Sequence, residues 1–366
     1  TLIGTEGGVG RRNAGHIGAG AGGLVVTADG RLENTATGTL TSPRAEVRSV
    51  AANIENHGTI EAQSIELASA ADIVNRGTIR QTGAASLTLH APNLSNTQGG
   101  VIGAEPAGSL GAAEGGAGAG NATGTTPDPG ANEVAGGGSL QGGTSGDETT
   151  GGATVQSPPA APIVPGRLVA AGAIRNDGGR IYSGDVRLQT PGIDNSGGTI
   201  SVGELAGGGP SFVNTGGTLQ VARQFSAQVD HLDNSGGRLG AGDLRIQAPG
   251  DVFNGDGQMR SASDISITAA GQLQSSGSMT AERHVTIDAG SVHADAASNV
   301  GAGVRADGSL ANEGDLHVTA TGNLLAHGRT VAAGTFAAQG ASVDLAGSRT
   351  NATDIALAAM QGDVST

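Results

Sequence analysis

Residues 193–239 read IDNSGGTISVGELAGGGPSFVNTGGTLQVARQFSAQVDHLDNSGGRL. Three times in this stretch an apolar residue precedes Asn, two glycines follow within three positions, and another apolar residue comes next. The asparagines are Asn195, Asn214 and Asn234. Recurrence at a period near twenty is the mark of a repeat architecture in which each unit stacks on its neighbours.

The period runs outward in both directions. Asn56 opens NHGTI, Asn75 NRGTI, Asn96 NTQGGVI, Asn176 NDGGRI and Asn254 NGDGQM. Weaker copies begin at Asn13 and Asn34, and Ser275 takes the Asn place in SSGSM. Three apolar pieces recur in each unit. One precedes the Asn (Ile54, Ile73, Leu94, Ile193, Val213, Leu232, Val252, Leu273), and one follows the glycine turn (Ile60, Ile79, Ile102, Ile181, Ile200, Leu219). The third alternates apolar with polar, as in Ile65 and Leu67, Leu87 and Leu89, Val186 and Leu188, Leu244 and Ile246, Ile265 and Ile267, Val285 and Ile287. A period of two marks strands, and Gly, Asn, Asp, Ser and Pro between them supply turns. The expectation is all-β: a right-handed parallel β-helix, a solenoid of about 19–21 residues per coil. At about twenty residues per lap it holds about fifteen laps, stacked about 4.8 Å apart.

Asn56, Asn75, Asn96, Asn176, Asn195, Asn214, Asn234 and Asn254 occupy one corner of successive laps in this reading. Stacked amides donate and accept along a column, so these residues are expected to form a structural ladder rather than a polar binding stripe.

The repeat breaks after Ile102 and resumes at Arg167. The intervening tract carries seven of the twelve prolines, six acids, no base and no aromatic. Such a composition buries too little apolar surface to offset its ordering entropy. The expected organisation is β-helix coils over 1–103, a disordered corner insertion over 104–166, and coils of the same solenoid over 167–366. Beyond Val285 the period loosens, one corner lengthens, and pairs resume at Leu316/Val318, Val343/Leu345 and Ile355/Leu357. The termini, TLIG and DVST, read as cuts within a longer protein.

Composition narrows the function. The 366 residues include 67 Gly, four Phe, one Tyr, and neither Trp nor Cys. Their net charge of −14 disfavours nucleic acid and anionic membranes as partners. No apolar run is long enough to span a bilayer, so no membrane insertion is expected. G18-A-G-A-G-G precedes a strand instead of following one, which removes its phosphate-binding meaning. The eight His residues have no metal-ligand spacing, and NGDG at 254–257 lacks a calcium-loop ligand series. Glycan-cleaving β-helices need paired carboxylates and aromatic sugar platforms, which are scarce here. No catalytic, cofactor-binding or metal residues are assigned, and no cofactor is expected.

The lap NHGTIEAQSIELASA from Asn56, and ASVDLAGSRTNATDIALAAMQGDV over 341–364, resemble the filamentous-haemagglutinin repeat. The resemblance implies a shaft segment of a large secreted or surface-exposed bacterial adhesin or contact-dependent growth-inhibition exoprotein. It also implies an outer-membrane two-partner-secretion transporter as partner, and a receptor or glycan on another cell. The family's secretion-domain motifs and the VENN boundary before a toxin domain do not occur in this sequence. A chain that crosses the periplasm unfolded does well to lack cysteine. The alternative is a β-helical glycan-active enzyme or autotransporter passenger. It would show carboxylates on adjacent coils beside Tyr182 or a Phe.

Overall fold

Each apolar residue after a glycine turn pairs with its counterpart one lap later. The computed structural model describes residues 2, 3, 10–83, 87–103 and 167–366, with the backbone alone at 2, 3 and 183–186. All described residues belong to one compact unit; the second unit, 107–162, lies outside them, as does the expectation of a disordered insertion. One column runs Ile17, Leu40, Ile60, Ile79, Ile102, Ile181, Ile200 and Leu219, then Leu239, Met259, Met279, Val300, Thr330 and Thr350. Every step is a parallel pairing, so this column passes through fourteen laps of a β-solenoid. Sequence arithmetic gave about fifteen. The step from Val300 to Thr330 uses thirty residues, which absorbs part of the difference.

Two further strands complete each lap, one ahead of the Asn and one after the second corner. The interior between them is filled by Leu, Ile, Val and Ala, with Phe212, Phe225 and Phe336 wholly buried. Phe212 and Phe225 meet edge to face, with ring centroids 5.2 Å apart. These three rings lie inside the stack, where no ligand outside can use them.

Several placements differ from expectation. Phe212, not Val213, continues the column of Ile193 and Leu232, because alternation puts residue 212 inward and residue 213 outward. Val343 pairs with Leu324 in the strand ahead of the ladder corner; the paired strand of that lap is Phe336 and Ala338. The alternating pairs do not form one column either. Leu67 is followed upward by Leu89, Leu168, Leu188, Leu205, Phe225 and Leu244, so the second member of an early pair stacks under the first member of a late one. The corner before this strand therefore shortens by two residues while the following segment lengthens by two. The side chain of Val186 is not among those described.

On either side of 104–166 the stack is unbroken: Leu89 pairs with Leu168, and Ile102 with Ile181. The longer corner read from the sequence after Val300 contains an antiparallel bridge between Val304 and Leu310. Asp307 accepts hydrogen bonds from the Ser309 hydroxyl and backbone N–H, which hold its carboxyl below the usual carboxylate range.

Candidate functional site

The Asn-x-Gly-Gly corner has a steric explanation. The first glycine, Gly197, Gly216 or Gly236, has φ near +61°, a left-handed conformation that L side chains adopt at a cost. A Cβ on the second, at Gly198, Gly217 or Gly237, would run into the carbonyl oxygen of the Asn one lap below. The corner backbone therefore lies directly on the corner beneath it and brings the asparagines into line.

Asn195 shows what that alignment produces. Its Nδ2 donates to Asn214 Oδ1 at 2.7 Å, to the Gly198 carbonyl at 3.3 Å and to the Thr218 carbonyl at 3.1 Å. One bond reaches the next amide, one closes its own turn, and one ties down the next lap. The same donation to the next amide runs from Asn34 through Asn56, Asn75, Asn96, Asn176, Asn195, Asn214 and Asn234 to Asn254, always toward the C-terminus. Each of these nine asparagines is at most 1% exposed. Buried amides this well partnered avoid the penalty of stranded polar groups, and aligned amide chains polarise one another.

The structure brings all eight sequence-assigned asparagines into one chain and adds two. Asn34 joins fully buried, and half-buried Asn13 donates to Asn34 Oδ1 at 2.8 Å. At the other end Asn254 donates to Ser275 Oγ at 3.3 Å, and the next positions in register are Ala294 and Ala326. The amide chain thus gives out two laps before the lap spacing lengthens, between Ala294 and Ala326.

A second polar column was not read from the sequence. Asp264 Oδ1 accepts from the His284 backbone N–H, His284 Nδ1 from that of Asp315, and Asp315 Oδ1 from that of Thr335. Here side-chain acceptors cap the backbone of the following lap. Its signal was weak because the acceptor changes between Asp and His.

Surface carboxylates are tied locally. Arg31 meets Glu55 at 2.6 Å and Glu33 at 3.3 Å, and the hydrogen bond it donates to Glu55 leads the causes holding its guanidinium above the ordinary value. Asp344 is held below its usual value, first by the Ala346 backbone N–H and then by His327, whose Nε2 lies 3.0 Å away. Glu46 and Glu66 stack on adjacent laps and line a surface dent of about 260 Å³ with Arg48 and His90, and no Phe, Tyr or Trp lines it. Among the described residues, no group of three or more His, Cys, Asp or Glu is arranged to hold a metal. No helix there is long and apolar enough to cross a membrane.

Comparison with known proteins adds a lineage to this geometry. The sequence model of the haemagglutinin repeat matches residues 6–41, 19–77, 239–300 and 280–359. The chain is also 37% identical over 108 residues to a protein of Yersinia pestis named Toxin CdiA. That alignment covers 29% of this chain and 3% of the Yersinia protein, so the chain spans a small part of that relative. No solved structure matches it.

Proposed function

The chain belongs to the haemagglutinin repeat family, and from that premise we propose that it is a shaft segment of a large secreted or surface-exposed exoprotein, of the adhesin or contact-dependent growth-inhibition kind. Its task is mechanical: to hold distal binding or toxin regions away from the cell that makes them. The observation that carries this reading is the amide chain from Asn34 to Asn254, which invests a buried polar column in joining lap to lap. The buried rings support it too, since sugar platforms need exposed aromatics.

The reading includes an outer-membrane two-partner-secretion transporter as export partner and a surface or extracellular location. It treats residues 1–103 and 167–366 as one solenoid from which 104–166 leave at a corner. Catalysis forms no part of it.

In-frame removal of two whole laps, residues 195–233, from the exoprotein that carries this segment tests the role. A shaft tolerates the loss: distal activity persists, with shorter reach. Saturable binding of the purified chain to target cells, abolished by substitutions on its own surface, would make the segment a receptor-binding module instead.

A further inference from the structure

One corner of the ladder departs from its neighbours in where its glycine stands. At Asn176, Asn195, Asn214 and Asn234 the second residue of the turn is Asp177, Ser196, Thr215 or Ser235, and a left-handed glycine comes third. At Asn254 the order is reversed: Gly255 comes second, and Asp256 takes the third place at φ +52°. Left-handed backbone is costly for a residue with a side chain. Gly255 itself lies outside the left-handed region, and a Cβ there would meet nothing closer than Ser235 Oγ at 3.4 Å. Neither conformation nor lack of room in the folded corner calls for glycine at 255.

What this glycine does change is the chemistry of the residue before it. Asn254-Gly255 is the one Asn–Gly step in the sequence. With no Cβ on residue 255, its backbone nitrogen reaches the preceding side chain freely in an open chain. Attack of that nitrogen on Asn254 Cγ forms the new C–N bond of a succinimide ring and expels the amide nitrogen as ammonia. Water then opens the ring to aspartate or isoaspartate. The folded corner blocks the attack. Asn254 is wholly buried; its Oδ1 accepts from Asn234 at 2.8 Å, and its Nδ2 donates to Ser275 Oγ at 3.3 Å and to the Ser278 carbonyl at 3.2 Å. Turning the side chain toward the Gly255 nitrogen breaks these bonds.

We propose that Asn254 is a modification site governed by folding: a chain whose corner stays open loses the amide, and a chain whose corner has closed keeps it. The change is one-way, so it marks chains that fold late. Aspartate at 254 puts a carboxylate where no water reaches, and it turns the donor aimed at the Ser278 carbonyl into an acceptor. Isoaspartate also lengthens the main chain by one carbon at a corner where Gly257 sits directly on the Asn234 carbonyl. Either product disturbs the join between the amide chain and the laps above Ser275. The proposal concerns the chemistry of this chain and stands without the shaft reading.

The test holds the purified chain in warm, mildly alkaline buffer with and without denaturant, and counts aspartate and isoaspartate at each rung by peptide mapping. In denaturant, conversion at Asn254 should outrun that at Asn195 and Asn214, which precede Ser and Thr, at least tenfold. In native buffer it should fall at least tenfold, since only locally opened molecules react. Equal rates in the two buffers, or no excess over the other rungs, overturns the proposal. Gly255→Ser gives the corner the residue type found at Ser196 and Ser235 and should remove the fast conversion; its persistence overturns the assigned attack. Asn254→Asp should refold with a lower denaturant midpoint than the unaltered chain, and an equal midpoint overturns the stated consequence. The comparison of rates uses the unaltered chain, so it decides the proposal even where a variant folds poorly.

Discussion

Asn96 donates its side-chain amide to Asn176 at 2.7 Å although eighty residues separate them in the chain. Asn56 and Asn75, nineteen residues apart, make the same bond at the same length. The ladder is indifferent to what lies between two laps, provided each lap returns an Asn to the corner. This indifference is the physical content of a solenoid, whose stability resides in contacts between neighbouring repeats.

Removing a rung from the middle should be costly. Asn214→Ala leaves Asn195 Nδ2 without its amide acceptor and Asn234 Oδ1 without a donor. The expected loss is about 1–3 kcal/mol. Thr215→Ala, one residue along and exposed, should cost little. Denaturant melts of the two variants make the comparison, and equal midpoints would mean that the rungs contribute nothing.

The paired corner glycines should respond differently to substitution. Gly216 has φ +61° and open space around its Cβ position, so Gly216→Asn, a residue that tolerates that region, should be nearly neutral. Gly217→Ala drives a methyl group into the Asn195 carbonyl and should lower stability by about 1–3 kcal/mol. Thermal unfolding of the two variants separates conformational need from lack of room.

The ladder was legible because a single residue type recurs at one corner and because Asn followed by Gly cannot be confused with a strand interior. What escaped were features that alternation cannot phase. In Ser211-Phe212-Val213 two apolar residues adjoin, and only the partners Ile193 and Leu232 decide which faces inward. Phe336 and Ala338 carry a paired strand without the β-branched residues that announce one, so Val343 and Leu345 drew the eye instead. The two-residue slide of the paired strand is invisible along the chain, since compensating changes at two corners leave the lap length near twenty. At the site, Asn13 and Asn34 read only as weak copies; Asn34 has its corner glycine four residues on, at Gly38, where Asn56 and Asn75 have theirs two residues on.

Acid should act on the late laps. The folded-state pKa of Asp344 is depressed, so its stabilising contribution is complete above the unfolded value, about 3.9, and is lost as pH falls through the lower folded value. Asp344→Asn should therefore flatten the fall in stability below about pH 4 relative to the unaltered chain. Melting temperatures between about pH 2 and pH 6 test this; parallel profiles would show that the carboxylate is not engaged.

Deleting residues 105–165 should leave a stable protein. The cut places Leu168 five positions after Ile102, the same separation as Ile200 to Leu205 and Leu239 to Leu244 in undisturbed laps. An unchanged or higher melting temperature is expected, because a shorter closing loop costs less entropy. A large drop would mean that the laps on either side depend on the tract.

The most direct test of the stacked solenoid uses the absence of native cysteine. Ser95 and Arg175 are Cα partners on adjacent laps, one on each side of the long tract. Strand partners at about 4.8 Å fall within disulfide reach. The chain carrying Ser95→Cys and Arg175→Cys should close an intramolecular disulfide on mild oxidation, seen by peptide mapping under non-reducing conditions. Free thiols, or cross-links only between chains, would show that these laps do not stack and would contradict a single continuous solenoid.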